Sequence, residues 1–142
     1  MSALLLDTNA LIWFTTDGWM QPSALEAIAG AQASGGIFVS PISAWETGVA
    51  LKKARSRPDL QGQDVALWFR NALRIPGFKL AIPTQRVAIE AARVPGVFGR
   101  GDPGDCFLIA TARVRKMPIV TRDSHIRELA NARPDYLQVI VC

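Results

Sequence analysis

Histidine and cysteine are almost missing from this chain. Among 142 residues there is one histidine, His125, and two cysteines, Cys106 and Cys142. A serine–histidine–aspartate triad or a histidine-rich metal site has little to draw on. Two cysteines so placed make neither a disulfide framework nor a CxxC zinc pair. No P-loop and no Gly-x-Gly-x-x-Gly signature occurs, and no Asp-x-Asp-x-Thr follows the first apolar run, which argues against the phosphate-handling α/β enzymes that use them. No apolar run is long enough to cross a bilayer, and the first residues lack a basic leader with a cleavage site. No membrane association and a cytoplasmic, reducing location are therefore expected.

What the chain has in quantity is apolar residues, at 49%, with charged residues at 20%. That balance suits one packed domain spanning residues 1–142. The net charge of +4 leans toward an anionic partner such as nucleic acid or an acidic protein.

Short apolar runs at Ala3–Leu6, Ile37–Ser40, Phe78–Ile82, Met117–Thr121 and Tyr136–Val141 read as five strands. Helical patterns lie between them. One begins near Asn9, one at Pro22, and one at Pro41 with Ile42, Trp45 and Val49 as its apolar stripe. Another covers Asp64–Arg74, and one capped by Thr84 stops before Pro95. A glycine-rich loop over 96–101 then leads to a helix from Pro103 to about Lys116, and a short helix starts at Ser124. This alternation predicts an α/β fold with a mainly parallel sheet of about five strands, covered on both faces. Ligands in such sheets collect outside the carboxyl ends of the strands.

The chain has twelve acids. Asp17, Glu26, Asp59, Asp64, Glu90, Glu128 and Asp135 lie in polar or turn-like settings and read as solvated. Asp7, Glu46, Asp102, Asp105 and Asp123 instead follow strands or open apolar helices. Each has a purely structural explanation. Ser43-Ala44-Trp45-Glu46 matches a capping box, Asp102, Asp7 and Asp123 are natural N-caps, and Asp105 gains from the helix dipole. Together, however, these acids are expected at one edge of one sheet. Clustered carboxylates repel in a low dielectric, and a divalent cation is the usual remedy. An all-oxygen set suits Mg²⁺ or Mn²⁺, which can activate water against a phosphodiester.

Leu5-Leu6-Asp7-Thr8-Asn9, Ser43-Ala44-Trp45-Glu46, Asp102-Pro103-Gly104-Asp105 with Leu108-Ile109-Ala110-Thr111-Ala112, and Ile119-Val120-Thr121-Arg122-Asp123 resemble, in order and spacing, the PIN-domain nucleases. The nearest likeness is to the VapC toxins of toxin–antitoxin pairs. The resemblance implies a three-layer α/β/α sandwich and a Mg²⁺- or Mn²⁺-dependent endoribonuclease that cleaves RNA. It also implies a homodimer with a cognate antitoxin. By matching motifs, Asp7 and Asp105 are the principal metal ligands, and Glu46 and Asp123 complete the catalytic acidic site. Asn9, Thr121 and Asp102 orient the carboxylates, with Asp102 also a helix cap. The chain departs from the family at Gly104, where Ala or a bulkier residue is common, and at Cys106, where Arg is common. A histidine often found before the Asp-Pro pair is missing. The rival expectation is a catalytically silent PIN-like module that only binds RNA or protein.

Arg100 and Arg122 adjoin site acids and are the candidate substrate contacts. Lys52, Lys53, Arg55 and Arg57 form a basic run that reads as a solvated face or a phosphate grip. Trp13, Trp45 and Trp68 sit in apolar stripes as core or interface, and the helices around Trp45 and Trp68 suggest a dimer or antitoxin surface.

Overall fold

Three-residue apolar strands with side chains alternating between two faces organise the molecule. The computed structural model describes residues 3–142. Strands β1 (Leu4–Leu6), β2 (Ile37–Val39), β3 (Phe78–Leu80), β4 (Ile119–Thr121) and β5 (Val139–Val141) form one sheet in the order β3-β2-β1-β4-β5. Every neighbouring pair is parallel. Leu4, Leu6, Ile37, Val39 and Val120 point to one face, and Leu5, Phe38 and Ile119 to the other.

The first face is covered by α1 (Thr8–Thr15), α2 (Pro22–Ala33) and α4 (Val65–Leu73), the second by α5 (Gln85–Arg93), α7 (Pro103–Arg115) and α8 (Ser124–Ala132). Helix α3 (Pro41–Ala50) follows β2 and packs against α1, α4 and α7. The result is the expected three-layer α/β/α sandwich. Leu5, Leu6, Leu11, Ile37, Ile109 and Ile119 are fully buried, and each such side chain contributes about 1.5–3 kcal/mol of transfer free energy.

Several local expectations are corrected. The helix capped by Thr84 stops at Arg93 as expected, but the segment expected as a loop over 96–101 is partly helical, beginning at Pro95. Pro95 occupies the first position of a further turn, α6 (Pro95–Phe98), where its missing N–H is no loss, and Gly99 closes that turn at φ 75°. Strand β5 begins later than Tyr136. Glu90 is not solvated, because the Arg113 guanidinium donates to it at 2.8 Å, donates to the Tyr136 carbonyl at 2.7 Å and stacks on the Tyr136 ring. In α3 the buried residues are Ser43 and Thr47, while Trp45 and Val49 stand 53% and 47% exposed. The apolar stripe therefore faces outward. Trp68, by contrast, is core rather than surface, at 1% exposure, with its indole N–H on the Thr15 hydroxyl.

Candidate metal centre

Parallel pairing puts all five carboxyl ends of the strands on one edge. The chain leaves β1 toward β2 and β3 on one side and returns through β4 and β5 on the other, so a crevice opens between the ends of β1 and β4. Asp7 directly follows β1, and Asp123 lies two residues beyond β4. Helix α7 feeds β4 from the opposite edge, so its first turn, with Asp102 and Asp105, stands at this one. Helix α3 rises from the same edge after β2 and carries Glu46 in its second turn.

Asp7 caps α1, its Oδ1 accepting from the Ala10 amide at 2.8 Å. It is only 7% exposed. Burial pushes its carboxyl up to about 6, helped by the charges of Asp123 and Glu46, while bonds from the Thr121 side chain and the Ala10 amide act the other way. Asp102 caps α7, Oδ2 accepting from the Asp105 amide at 3.0 Å. Asp105 has no such bond to offset its surroundings. Burial first, then the charges of Asp102, Asp123, Glu46 and Asp7, push it up to about 7.

Glu46 is not part of a capping box. Ser40 is the N-cap of α3, accepting from the Ile42 amide at 3.1 Å, so the helix starts three residues before the proposed box and Glu46 is an interior position. Its carboxylate accepts from the Thr8 hydroxyl, which lies 3.0 Å from the Ser43 hydroxyl. Burial raises the Glu46 carboxyl above its ordinary value, with Asp102 adding to the rise and Thr8 opposing it. One oxygen each from Glu46, Asp102 and Asp105 lies within 4.8 Å of the others. Among the described residues no lysine or arginine forms an ion pair with any of the five acids.

Asp123 caps α8, its Oδ1 accepting from the amides of His125 and Ile126 at 2.9 and 3.0 Å. It acts on Asp7 and Asp105 through its charge. Thr121 is fully buried and accepts from the Asp123 amide at 3.0 Å, which ties the two strand-end acids together. Asn9 is exposed, and its side chain makes no hydrogen bond among the described residues. Arg100 is exposed, two residues before Asp102, and its side chain forms no ion pair among the described residues. Arg122 is turned into the fold: it donates to the carbonyls of Trp19 and Cys142 at 2.8 and 3.0 Å and stacks on Trp13 at 3.8 Å. Cys106 is 4% exposed, and burial raises its thiol further from the reactive thiolate.

Two residues did not stand out as contributors. Thr8 follows a strand, where a hydroxyl reads as an ordinary turn residue, yet it is the donor to Glu46. Gly104 showed only as a departure; here it is buried, and a β-carbon on it would overlap the Glu46 carboxylate and come 3.0 Å from Glu46 Cγ. The donor set is all oxygen, concentrated and free of cations, so it fits a hard divalent ion such as Mg²⁺ or Mn²⁺.

Residues 4–132 match the family model described as PIN domain. Among the solved structures that share the fold are three VapBC or toxin–antitoxin assemblies. VapBC2 from Rickettsia felis, bound to a promoter DNA fragment, superposes with a TM-score of 0.68 at 10% identity, covering 98% of each chain. DNA-bound VapBC from Salmonella typhimurium gives 0.67 at 16% identity, over 99% of this chain and 98% of that one. A toxin–antitoxin complex from Klebsiella pneumoniae gives 0.55 at 21%, over 85% and 87%. No curated protein sequence matches the chain.

Proposed function

This chain belongs to the PIN-domain family, and from that premise we propose that it is a Mg²⁺- or Mn²⁺-dependent endoribonuclease, the toxin of a toxin–antitoxin pair. The observation that carries the reading is the gathering of Glu46, Asp102 and Asp105 within 4.8 Å, with Asp7 and Asp123 acting on Asp105 through their charge and no basic side chain paired to any of the five among the described residues. Unpaired acids this close destabilise the fold, and a cation-binding role accounts for their presence.

In this reading Asp7 and Asp105 are the principal ligands, and Glu46 and Asp123 complete the acidic wall. Thr8 and Thr121 hold Glu46 and Asp7 in place, while Asp102 fixes the first turn of α7 so that Asp105 points inward. A divalent ion held by these residues would supply a water of lowered pKa and offset charge growing on the phosphodiester. Asp105, whose carboxyl is pushed up to about 7, would have to lose its retained proton to hold such an ion.

Supporting the partner assignment, the three solved structures named above are VapBC or toxin–antitoxin complexes. The outward Trp45 and Val49, one helical turn apart, suit a homodimer or antitoxin contact. No described helix is long and apolar enough to cross a membrane, in keeping with the proposed cytoplasmic site of action. The test is to incubate purified protein with total RNA in Mg²⁺, Mn²⁺ or EDTA. Fragments are expected with either metal and none in EDTA; cleavage that persists in EDTA, or RNA binding without any metal-dependent cleavage, overturns the reading.

A further inference from the structure

The metal centre leaves the run Lys52, Lys53, Arg55 and Arg57 without a role. All four are exposed on the connection between α3 and α4, and none forms an ion pair among the described residues. Exposure alone makes a solvated face, but one of the four is set apart. Lys53 lines a groove of about 500 Å³ between α1 and this connection, and Glu46 lies in its wall. That volume falls within the range of about 300–1,000 Å³ typical of small-ligand pockets.

Glu46 faces two ways. One carboxylate oxygen takes the Thr8 bond on the α1 side, and the other lies against Gly104 and the acidic cluster. The groove therefore shares Glu46 with the acidic cluster. Asn9 also lines the groove, exposed and with its amide uncommitted, and so does Trp13, whose ring stacks against the Arg122 guanidinium. The Thr47 hydroxyl, on a groove-lining residue that is 1% exposed, has no hydrogen-bond partner among the described residues.

We propose that this groove seats a nucleotide of the RNA strand adjoining the scissile phosphate, with Lys53 on its phosphate and Asn9 on the edge of its base. The inference rests on the ribonuclease reading. Its physical basis is the charge problem of the site, since a wall of carboxylates repels a polyanion even when a cation sits in it. Arg122 is committed to backbone carbonyls, so Lys53 is the cation lining the groove, set against the carboxylates of Asp59 and Glu46 that line it too. A side-chain amide one helical turn from an indole on the same wall can read an unpaired base, whereas a base in a duplex presents no free edge there. The occupant is therefore single-stranded. A segment of a partner protein is the competing occupant.

Binding of a short fluorescent single-stranded RNA to the full chain, followed by anisotropy in EDTA so that no strand is cut, separates the cases. Lys53→Ala is expected to weaken binding about tenfold and to flatten the dependence of log affinity on log salt by about 0.7, the loss of one phosphate contact. Lys52→Ala should stay close to the parent, and Asn9→Ala should weaken binding with the salt slope unchanged. A Lys53→Ala variant indistinguishable from Lys52→Ala overturns the proposal and favours a protein occupant. Lys53-dependent binding without Mn²⁺-dependent cleavage would sink the nuclease reading and leave the groove standing. Metal-dependent cleavage at low RNA concentration that is equal in the Lys53→Ala and parent proteins would sink the groove alone.

Discussion

Replacing Gly104 by alanine should separate stability from metal binding in one step. Gly104 occupies the second position of α7, between the Pro103 start and Asp105. A methyl group there overlaps the Glu46 carboxylate and stands 3.0 Å from Glu46 Cγ, whereas unstrained carbon contacts lie at about 3.5–4.0 Å. The backbone of α7 is held by Asp102 and packed on the sheet, so Glu46 is the group that moves, by more than about 1 Å. It then gives up the Thr8 bond and leaves the cluster. Alanine in place of glycine gains up to about 1 kcal/mol in a helix, which offsets the lost hydrogen bond of about 1 kcal/mol. The melting temperature of the metal-free protein should therefore stay level or rise. Mn²⁺ affinity by calorimetry should fall about tenfold, and a misplacement of this size should lower cleavage about a hundredfold. In the Glu46→Asp background, whose carboxylate is one methylene shorter, the alanine should cost much less. Retention of both metal affinity and cleavage within about twofold in Gly104→Ala, well inside a single tenfold step, would refute the placement of Glu46 against α7.

Three further outcomes follow from the site and its surroundings. The Asp105 carboxyl is raised from 3.8 to about 7, so the folded chain holds this proton more tightly than the unfolded chain. Its stabilising contribution is complete below the lower value and is lost as pH rises through the higher one. Asp105→Asn should thus stabilise the metal-free protein at pH above 7 by roughly 1–2 kcal/mol after screening, and melting curves across pH should lose that slope; an unchanged slope would count against it. Arg122→Ala should cost about 1–3 kcal/mol through the lost carbonyl bonds and stacking, with Mn²⁺ affinity unchanged, and lysine should not restore it because the planar stack is gone. Trp45→Glu should convert any dimer seen by sedimentation to monomer; a dimer that survives places the interface elsewhere.

The layered fold was legible because strands buried on both faces are continuous apolar runs, as at Leu4–Leu6 and Ile119–Thr121, and because Pro22, Pro41 and Pro103 mark helix starts. Less legible were features decided by tertiary packing. The spacing of Trp45 and Val49 left core and interface both open, and the structure turns them outward while Ser43 and Thr47 face inward, because that side of α3 packs against α1 and α7. The capping box at Ser43 failed because Ser40 and Pro41 provide an earlier start. The acids were found because each follows a strand or opens a helix. Their caps and their gathering proved compatible: Asp7, Asp102 and Asp123 all cap helices, and all act electrostatically on Asp105 or Glu46. The contributions of Gly104 and Lys53 depend on what lies opposite them across the fold, and no local pattern carries that information.

The central claim is that these carboxylates gather to hold a divalent cation. A Mn²⁺ titration followed by electron paramagnetic resonance, which reads free Mn²⁺ directly, tests it on the parent chain and on Asp7→Asn combined with Asp105→Asn. The account predicts saturable binding by the parent, strengthening as pH rises toward 7, the value to which the Asp105 carboxyl is pushed, and its loss in the double variant while the melting temperature holds or rises. Equal binding by the two proteins, or none by either, would contradict it.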